Sequence, residues 1–235
     1  MQLFYCPDIT ASSYLLAEEE SRHCIRVLRM QRGDTVFITD GKGNMHECRI
    51  TEDHPRHCSV EVVNTQRAGS RAPSRLHIAI APTKHIERFE WFLEKATEIG
   101  IDEVTPVWCH HSERTHIKLP RLEKVMVAAM KQSLKCWLPL LNEPVELTDF
   151  LNQDFAGQKL IAYCGTGQEH FLKDLIDPAQ DHLILVGPEG DFSPDEVNRA
   201  MEAGCIPVSL GESRLRTETA GVVACAFINY STESQ

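Results

Sequence analysis

Apolar positions along this chain follow two patterns that meet near residue 70. Before that point they alternate with polar ones at the two-residue period of half-buried strands. Residues 35–39 and 45–51 flank Asp40-Gly41-Lys42-Gly43-Asn44, whose glycines and acid predict a hairpin turn. A further strand is predicted over 58–63, and a short helix over 17–28. Residues 1–70 therefore read as a small β-rich domain of barrel type. The polar stretch 69–74, with Gly69 and Pro73, reads as a linker.

After the linker, short apolar runs alternate with amphipathic stretches. Strands are predicted over 76–81, 104–108, 159–163, 182–186 and 207–210. Helices are predicted over 86–100, 119–134, 193–204 and 218–230, with a short one between 163 and 182. Ile86, Phe89, Leu93, Ala96 and Ile99 form one stripe that Gly100 ends. Ser193-Pro194-Asp195-Glu196 is a full helix start: a serine cap, a first-turn proline, and a glutamate three after the cap. Such alternation predicts an α/β domain over 74–235, with helices on both faces of a parallel sheet.

Composition adds exclusions. The 235 residues are 42% hydrophobic and 25% charged, the balance of a globular protein. The uncharged stretch 219–232 is too short for a membrane span and contains Asn229. Met1-Gln2-Leu3-Phe4-Tyr5 lacks the layout of a secretion signal. Nine cysteines without a C-x-x-C point to reduced, buried thiols in a cytoplasmic protein. A net charge of −10 argues against nucleic-acid binding through bulk electrostatics. Residues 21–32 are a local exception: they hold Arg22, His23, Arg26, Arg29 and Arg32 and no acid. On a helix, Arg22, Arg26 and Arg29 would share one stripe suited to phosphates.

Candidate chemistry concentrates in two loops near the C-terminus. Gly187-Pro188-Glu189-Gly190-Asp191 follows one predicted strand, and Leu210-Gly211-Glu212-Ser213-Arg214-Leu215-Arg216 follows another. In an open parallel sheet, ligands sit beyond the carboxyl ends of the strands. Each loop feeds a helix N-terminus, and its glycines let the backbone approach a ligand. Other signals are weaker. Gly165-Thr166-Gly167 lacks the third glycine of a dinucleotide fingerprint, and no Walker A sequence exists. Cys109, His110, His111 and His116 lack metal-ligand spacing, so no metal is expected. Ser209 and Ser213 lack a nucleophile elbow.

With these residues in view, the chain resembles the bacterial small-subunit ribosomal RNA uridine-N3 methyltransferases of the SPOUT superfamily. The likeness runs through His23 with Val27-Leu28-Arg29, Gly33-Asp34, Asp40-Gly41-Lys42-Gly43 and Lys95-Ala96-Thr97-Glu98-Ile99-Gly100. It continues in Ser112-Glu113-Arg114, Gln132-Ser133, Gly187-Pro188-Glu189-Gly190, and Leu210-Gly211 through Leu215-Arg216-Thr217-Glu218-Thr219-Ala220. The resemblance implies a PUA-like RNA-binding barrel, a SPOUT domain with a trefoil knot, and a homodimer. It also implies S-adenosylmethionine as methyl donor, and small-subunit ribosomal RNA or the assembled small subunit as substrate.

Residue by residue, it implies that Gly187, Pro188, Glu189, Gly190, Leu210, Gly211, Leu215, Thr219 and Ala220 bind the cofactor. Arg216, Glu218 and Arg114 become the catalytic candidates. Arg22, His23, Arg26, Arg29, Lys42 and Lys84 become the RNA-binding ones. The chain departs from the family pattern at Gln2, Leu3 and Lys135, where arginines are frequent, at Asp191, where a third glycine is frequent, and at Glu212-Ser213-Arg214. Two other functions compete: an RNA-binding adaptor without catalysis, and another nucleotide-dependent enzyme such as a dehydrogenase. Intact loop glycines with Arg216 and Glu218 oppose the first, and the missing ribose-binding acid opposes the second.

Overall fold

A computed structural model describes residues 1–10, 12–68, 74–163 and 170–233. Most of the predicted linker and Gly165-Thr166-Gly167 lie outside the described residues. The chain divides into two compact units, one of residues 1–69 with 130–138, the other of 70–129 with 139–235.

The first unit holds β1 (Leu3–Tyr5), β2 (Ser13–Leu15), α1 (Glu18–Arg22), β3 (Thr35–Thr39), β4 (Asn44–Glu52) and β5 (Ser59–Arg67). Its sheet runs β1-β3-β4-β5-β2, antiparallel except where β1 pairs β3. Inward positions Phe4, Val36, Ile38, Cys48, Ile50 and Val60 are buried in one core, as alternation along strands requires. The predicted hairpin is β3–β4, with Thr39 opposite Met45.

Its turn does more than reverse the chain. Asp40 accepts hydrogen bonds from the backbone of Lys42 (2.7 Å) and Asn44 (3.1 Å) and from the Asn44 amide (2.6 Å). Gly43 donates to the Cys136 carbonyl at 2.8 Å, Leu138 donates to Gly41 at 2.9 Å, and Lys42 bridges antiparallel to Trp137. Gly43 has φ +96°, and a Cβ there would fall 2.2 Å from the Trp137 ring. Alanine is excluded on both counts. Residues 130–138 fall inside the second domain expected from the sequence, yet this clasp holds them in the first unit.

The predicted helix over 17–28 is corrected. α1 ends at Arg22, a π-helical turn follows over His23–Val27, and Arg29 has φ +57°. A wider turn advances each side chain by less than 100°, and Arg29 lies past the helix. The three arginines therefore do not form a regular stripe. Arg22 is already paired with Glu18 at 2.9 Å, though both are exposed.

The second unit contains β6 (Leu76–Ile80), α2 (Ile86–Ile99), β7 (Glu103–Trp108), α3 (Leu119–Gln132, whose last turn belongs to the first unit), β8 (Leu140–Leu141), β9 (Val145–Glu146) and α4 (Leu147–Leu151). It continues with β10 (Gln158–Ala162), α5 (Leu172–Leu175), β11 (His182–Val186), α6 (Pro194–Glu202), β12 (Ile206–Val208) and α7 (Thr217–Glu233). The sheet is parallel throughout, in the order β12-β10-β11-β6-β7-β8, with β9 also beside β7.

Helices cover both faces. Ala79 and Ala81 point into a core shared with Phe150 of α4 and Val197 and Ala200 of α6. Ile80 points the other way, where α2 and α7 pack together. A Cβ on Gly221 of α7 would lie 2.6 Å from the Phe92 ring and 2.9 Å from Ile80. A methyl group there would cost about 1–3 kcal/mol of overpacking. The cap of α6 forms as the sequence predicts: Ser193 accepts from the Glu196 backbone, and the Glu196 carboxylate accepts from the Ser193 backbone.

All eight described cysteines are buried and free of disulfides. Burial pushes the thiols of Cys48 and Cys205 up to about 11 and that of Cys6 up to about 12. They stay protonated near neutrality and are poor nucleophiles.

Candidate active site

A cavity of about 900 Å³ opens at the carboxyl ends of β10, β11 and β12. Its floor is buried: Val186 and Gly187 at the end of β11, Pro188 after them, Val208 in β12, and Thr217 at the head of α7. Its rim is exposed: His170, Glu212, Ser213, Arg214 and Arg216 make it mostly polar, and Phe171 is its apolar member. Both glycine loops border it. Gly187 is constrained from behind, since a Cβ there would lie 3.1 Å from the Phe192 ring. Gly211 is constrained by its own backbone, with φ +136° and open space around a Cβ. Thr217 ties the two loops together by donating to the Gly187 carbonyl at 3.0 Å.

Among the cofactor candidates, Gly187, Pro188, Glu189, Leu210, Gly211, Leu215 and Ala220 line the cavity. Gly190 and Thr219 do not. Gly190 instead faces His111, whose Nδ1 lies 3.0 Å from the Asp191 carbonyl oxygen. Asp191 adopts φ +63°, a left-handed conformation that aspartate tolerates better than most residues. That explains how an acid can occupy this turn in place of a glycine.

The three catalytic candidates are separated. Arg216 is on the rim. Arg114 is not among the cavity residues; its guanidinium donates to the carbonyls of Thr83 (3.0 Å), Lys84 (2.6 Å) and His116 (3.3 Å). Such a fork braces loops, and few of its donors are left for a substrate. Glu218 is buried in the first turn of α7 with Oε1 3.8 Å from Arg88 Nε on α2, and it does not line the cavity either.

The remaining RNA candidates are scattered. Lys84 is exposed, and its ammonium pairs with Glu113 at 2.6 Å, which raises its pKa. Its backbone N–H donates to Glu189 at 2.9 Å, linking the β6–α2 loop to the loop after β11. Lys42 reaches the Pro7 carbonyl at 3.0 Å in the first unit, where His23 lies 3.3 Å from the Gln2 amide.

Sequence reading missed the wall formed by Ala162, Tyr163, His170 and Phe171. Phe171 pairs in parallel with Ser209, although the two lie 38 positions apart in sequence. Only the apolar end of the predicted strand over 159–163 could have marked Tyr163, and nothing local marks Phe171.

Comparison with known proteins follows the same division. A family model described as an RNA methyltransferase domain matches residues 70–229, and one described as an RNA methyltransferase PUA domain matches 16–63. A ribosomal RNA small subunit methyltransferase E from Synechocystis is 30% identical, covering 96% of this chain and 76% of the relative. The one from Bacillus subtilis is 26% identical over 95% and 92% of the two chains. Among solved structures, a probable rRNA methyltransferase from Porphyromonas gingivalis superposes with a TM-score of 0.93 at 46% identity and 99% coverage of both. A ribosomal RNA small subunit methyltransferase E from Neisseria gonorrhoeae, bound to S-adenosyl methionine, gives 0.87 at 26% identity, with 98% of each chain covered. The PUA match over 16–63 and the methyltransferase match over 70–229 account for most of both units, and this chain belongs to the family of the RNA methyltransferases.

Proposed function

We propose that the protein methylates N3 of a uridine in small-subunit ribosomal RNA, with S-adenosylmethionine as donor, in the cytoplasm. The observation that carries this reading is the cavity at the ends of β10, β11 and β12, framed by loops 187–191 and 209–217.

Its residues suit the donor. The buried apolar floor of Val186, Pro188 and Val208 fits an adenosine, and the volume is within the range of small-molecule sites. Gly187 and Gly211 leave backbone groups open to a ligand at two edges. Glu189 and Glu212 offer negative charge to the donor's sulfonium and ammonium groups. When bound, the donor would supply an electrophilic methyl group on a positively charged sulfur.

The chain's own task is to position the base and manage a proton. N3 of uracil becomes a good nucleophile once it loses its proton. Arg216, on the rim, would stabilise the negative charge that spreads over the imide as N3 attacks. Of the two candidate glutamates, Glu189 would be the one to affect that proton, since it borders the cavity and Glu218 does not. Arg114 would act through the Thr83 and Lys84 carbonyls that it holds. The first unit would hold the RNA, with Arg22, His23, Arg26 and Lys42 as phosphate contacts.

Two architectural points belong to the same proposal. From β12 at the sheet edge, the chain returns to α7, which packs on β6, β11 and α2. That path, crossing beside Gly187, supports a trefoil knot. α7 buries Gly221, Ala224, Cys225 and Ile228 on one side, and carries Val223, Phe227 and Tyr230 on another. An apolar outer face supports a homodimer.

Calorimetry with S-adenosylmethionine, followed by mapping of methylated bases in RNA from cells lacking the gene, tests the function. Binding at or below the order of tens of micromolar is expected, together with loss of one N3-methyluridine from small-subunit RNA. A folded protein that binds no donor in that range, or an unchanged RNA, would overturn it.

A further inference from the structure

The rim of the cavity contains a combination that a methyl donor alone does not require. Phe171 is 42% exposed, with its ring at the cavity edge. A single exposed phenylalanine is ordinary. This one is held in place: Ser209 donates to the His170 carbonyl at 3.0 Å, and Leu172 donates to the Ser209 carbonyl at 2.9 Å. The backbone on both sides of Phe171 is therefore pinned to the loop that leads to Gly211.

One cation stands beside the ring, and two more line the cavity. Lys173 Nζ stands 5.8 Å from the ring centroid. Arg214 and Arg216 lie on the same rim, exposed, and neither forms an ion pair with another described residue. S-adenosylmethionine has one carboxylate and no phosphate, so Lys173 beside the ring together with two arginines on the rim exceed what it needs. A nucleotide within an RNA strand needs both parts: a flat apolar face for its base and positive charge for its phosphodiesters. The chain's net charge of −10 makes such a local gathering of cations more specific.

Position separates the two ligands. The floor that suits the donor is buried, whereas Phe171 lies at the outer edge, where RNA arrives first. We infer that Phe171 is the stacking platform for an unpaired base of the RNA substrate, with Lys173 and Arg214 holding the adjoining phosphates. This rests on the reading above and adds the residue that presents the base. A target base must leave its stack before its N3 can be reached, and an aromatic face at the mouth compensates for lost stacking.

The test compares binding of a short oligouridylate with that of an abasic ribose-phosphate oligomer of equal length, by fluorescence anisotropy. Wild-type protein should prefer the base-bearing oligomer by about tenfold or more. Phe171→Ala should lose that preference, keep its affinity for the abasic oligomer, and keep its calorimetric affinity for S-adenosylmethionine. Phe171→Trp should restore the preference, and its fluorescence should be quenched by oligouridylate. Equal binding of both oligomers by wild type, or a preference that survives in Phe171→Ala, overturns the inference. So does a Phe171→Ala variant that loses the donor instead, because the ring would then serve the cofactor. Wild-type protein that binds no donor at all would sink the reading of the cavity, while the comparison of oligomers would still decide the role of Phe171.

Discussion

Gly190 and His111 are in direct opposition: a Cβ on Gly190 would sit 2.9 Å from the His111 Cβ and 3.3 Å from its Cγ. Gly190 is also outside the left-handed region, so its backbone alone would accept alanine. The neighbouring loop is therefore by itself a sufficient reason for glycine at this position. Gly190→Ala should lower both the melting temperature and donor affinity, by displacing His111 from the Asp191 carbonyl. Combining it with His111→Gly removes the clash and should recover most of the donor affinity. Calorimetry that finds the double variant as weak as Gly190→Ala would show that the ligand itself needs the glycine.

Asp40 should make the first unit sensitive to acid. Burial alone would raise its pKa, but hydrogen bonds from the Asn44 amide and the Lys42 and Asn44 backbones outweigh it, and the carboxyl lies below its usual 3.8. A depressed folded-state pKa stabilises the fold above the unfolded value, and that contribution is lost as pH falls through the folded one. Asp40→Asn should therefore melt below wild type at pH 7, and the gap should close below the ordinary carboxylate range. A gap that stays constant from neutral to acid pH would assign the effect to geometry and not to charge.

Arg22 and Arg26 are exposed in the first unit, whereas the cavity lies in the second. Replacing both with alanine should weaken RNA binding and reduce the slope of log affinity against log salt by about 1.4–1.8. Donor affinity should not change. Arg29 has left the helix, so Arg29→Ala is expected to have a smaller effect than either. An unaltered salt slope in the double variant would mean that these guanidinium groups only face solvent.

Phe227 is 36% exposed and Tyr230 69% exposed on α7, three positions apart and so on one side of the helix. Trp91 of α2, the helix packed on α7, is also 41% exposed. If these surfaces meet in a dimer, Phe227→Asp with Tyr230→Asp should yield a folded monomer by light scattering, because two buried charges without partners would split the interface. A wild-type protein with monomer mass at micromolar concentration would sink the dimer.

Much of this molecule is local in origin and legible in its sequence. Ser193 and Glu196 cap α6 because both partners lie within one turn. Gly100 ends α2 with φ +135° because few other residues reach that conformation. Strands β6, β10 and β11 follow from apolar runs, and the two glycine loops after β11 and β12 identify the place of the cavity. What the tertiary structure decided depends on residues far apart. Phe171 joins the cavity wall only by pairing with Ser209, and Trp137 joins the first unit only by closing over Gly43. Arg114 and Arg216 read alike as sequence, yet one is consumed by the carbonyls of Thr83 and Lys84 while the other stands at the cavity mouth. A side chain's type and spacing determine what it can do, but the groups it meets are chosen by how distant strands pair and pack, and hydrophobic periodicity contains no record of that choice.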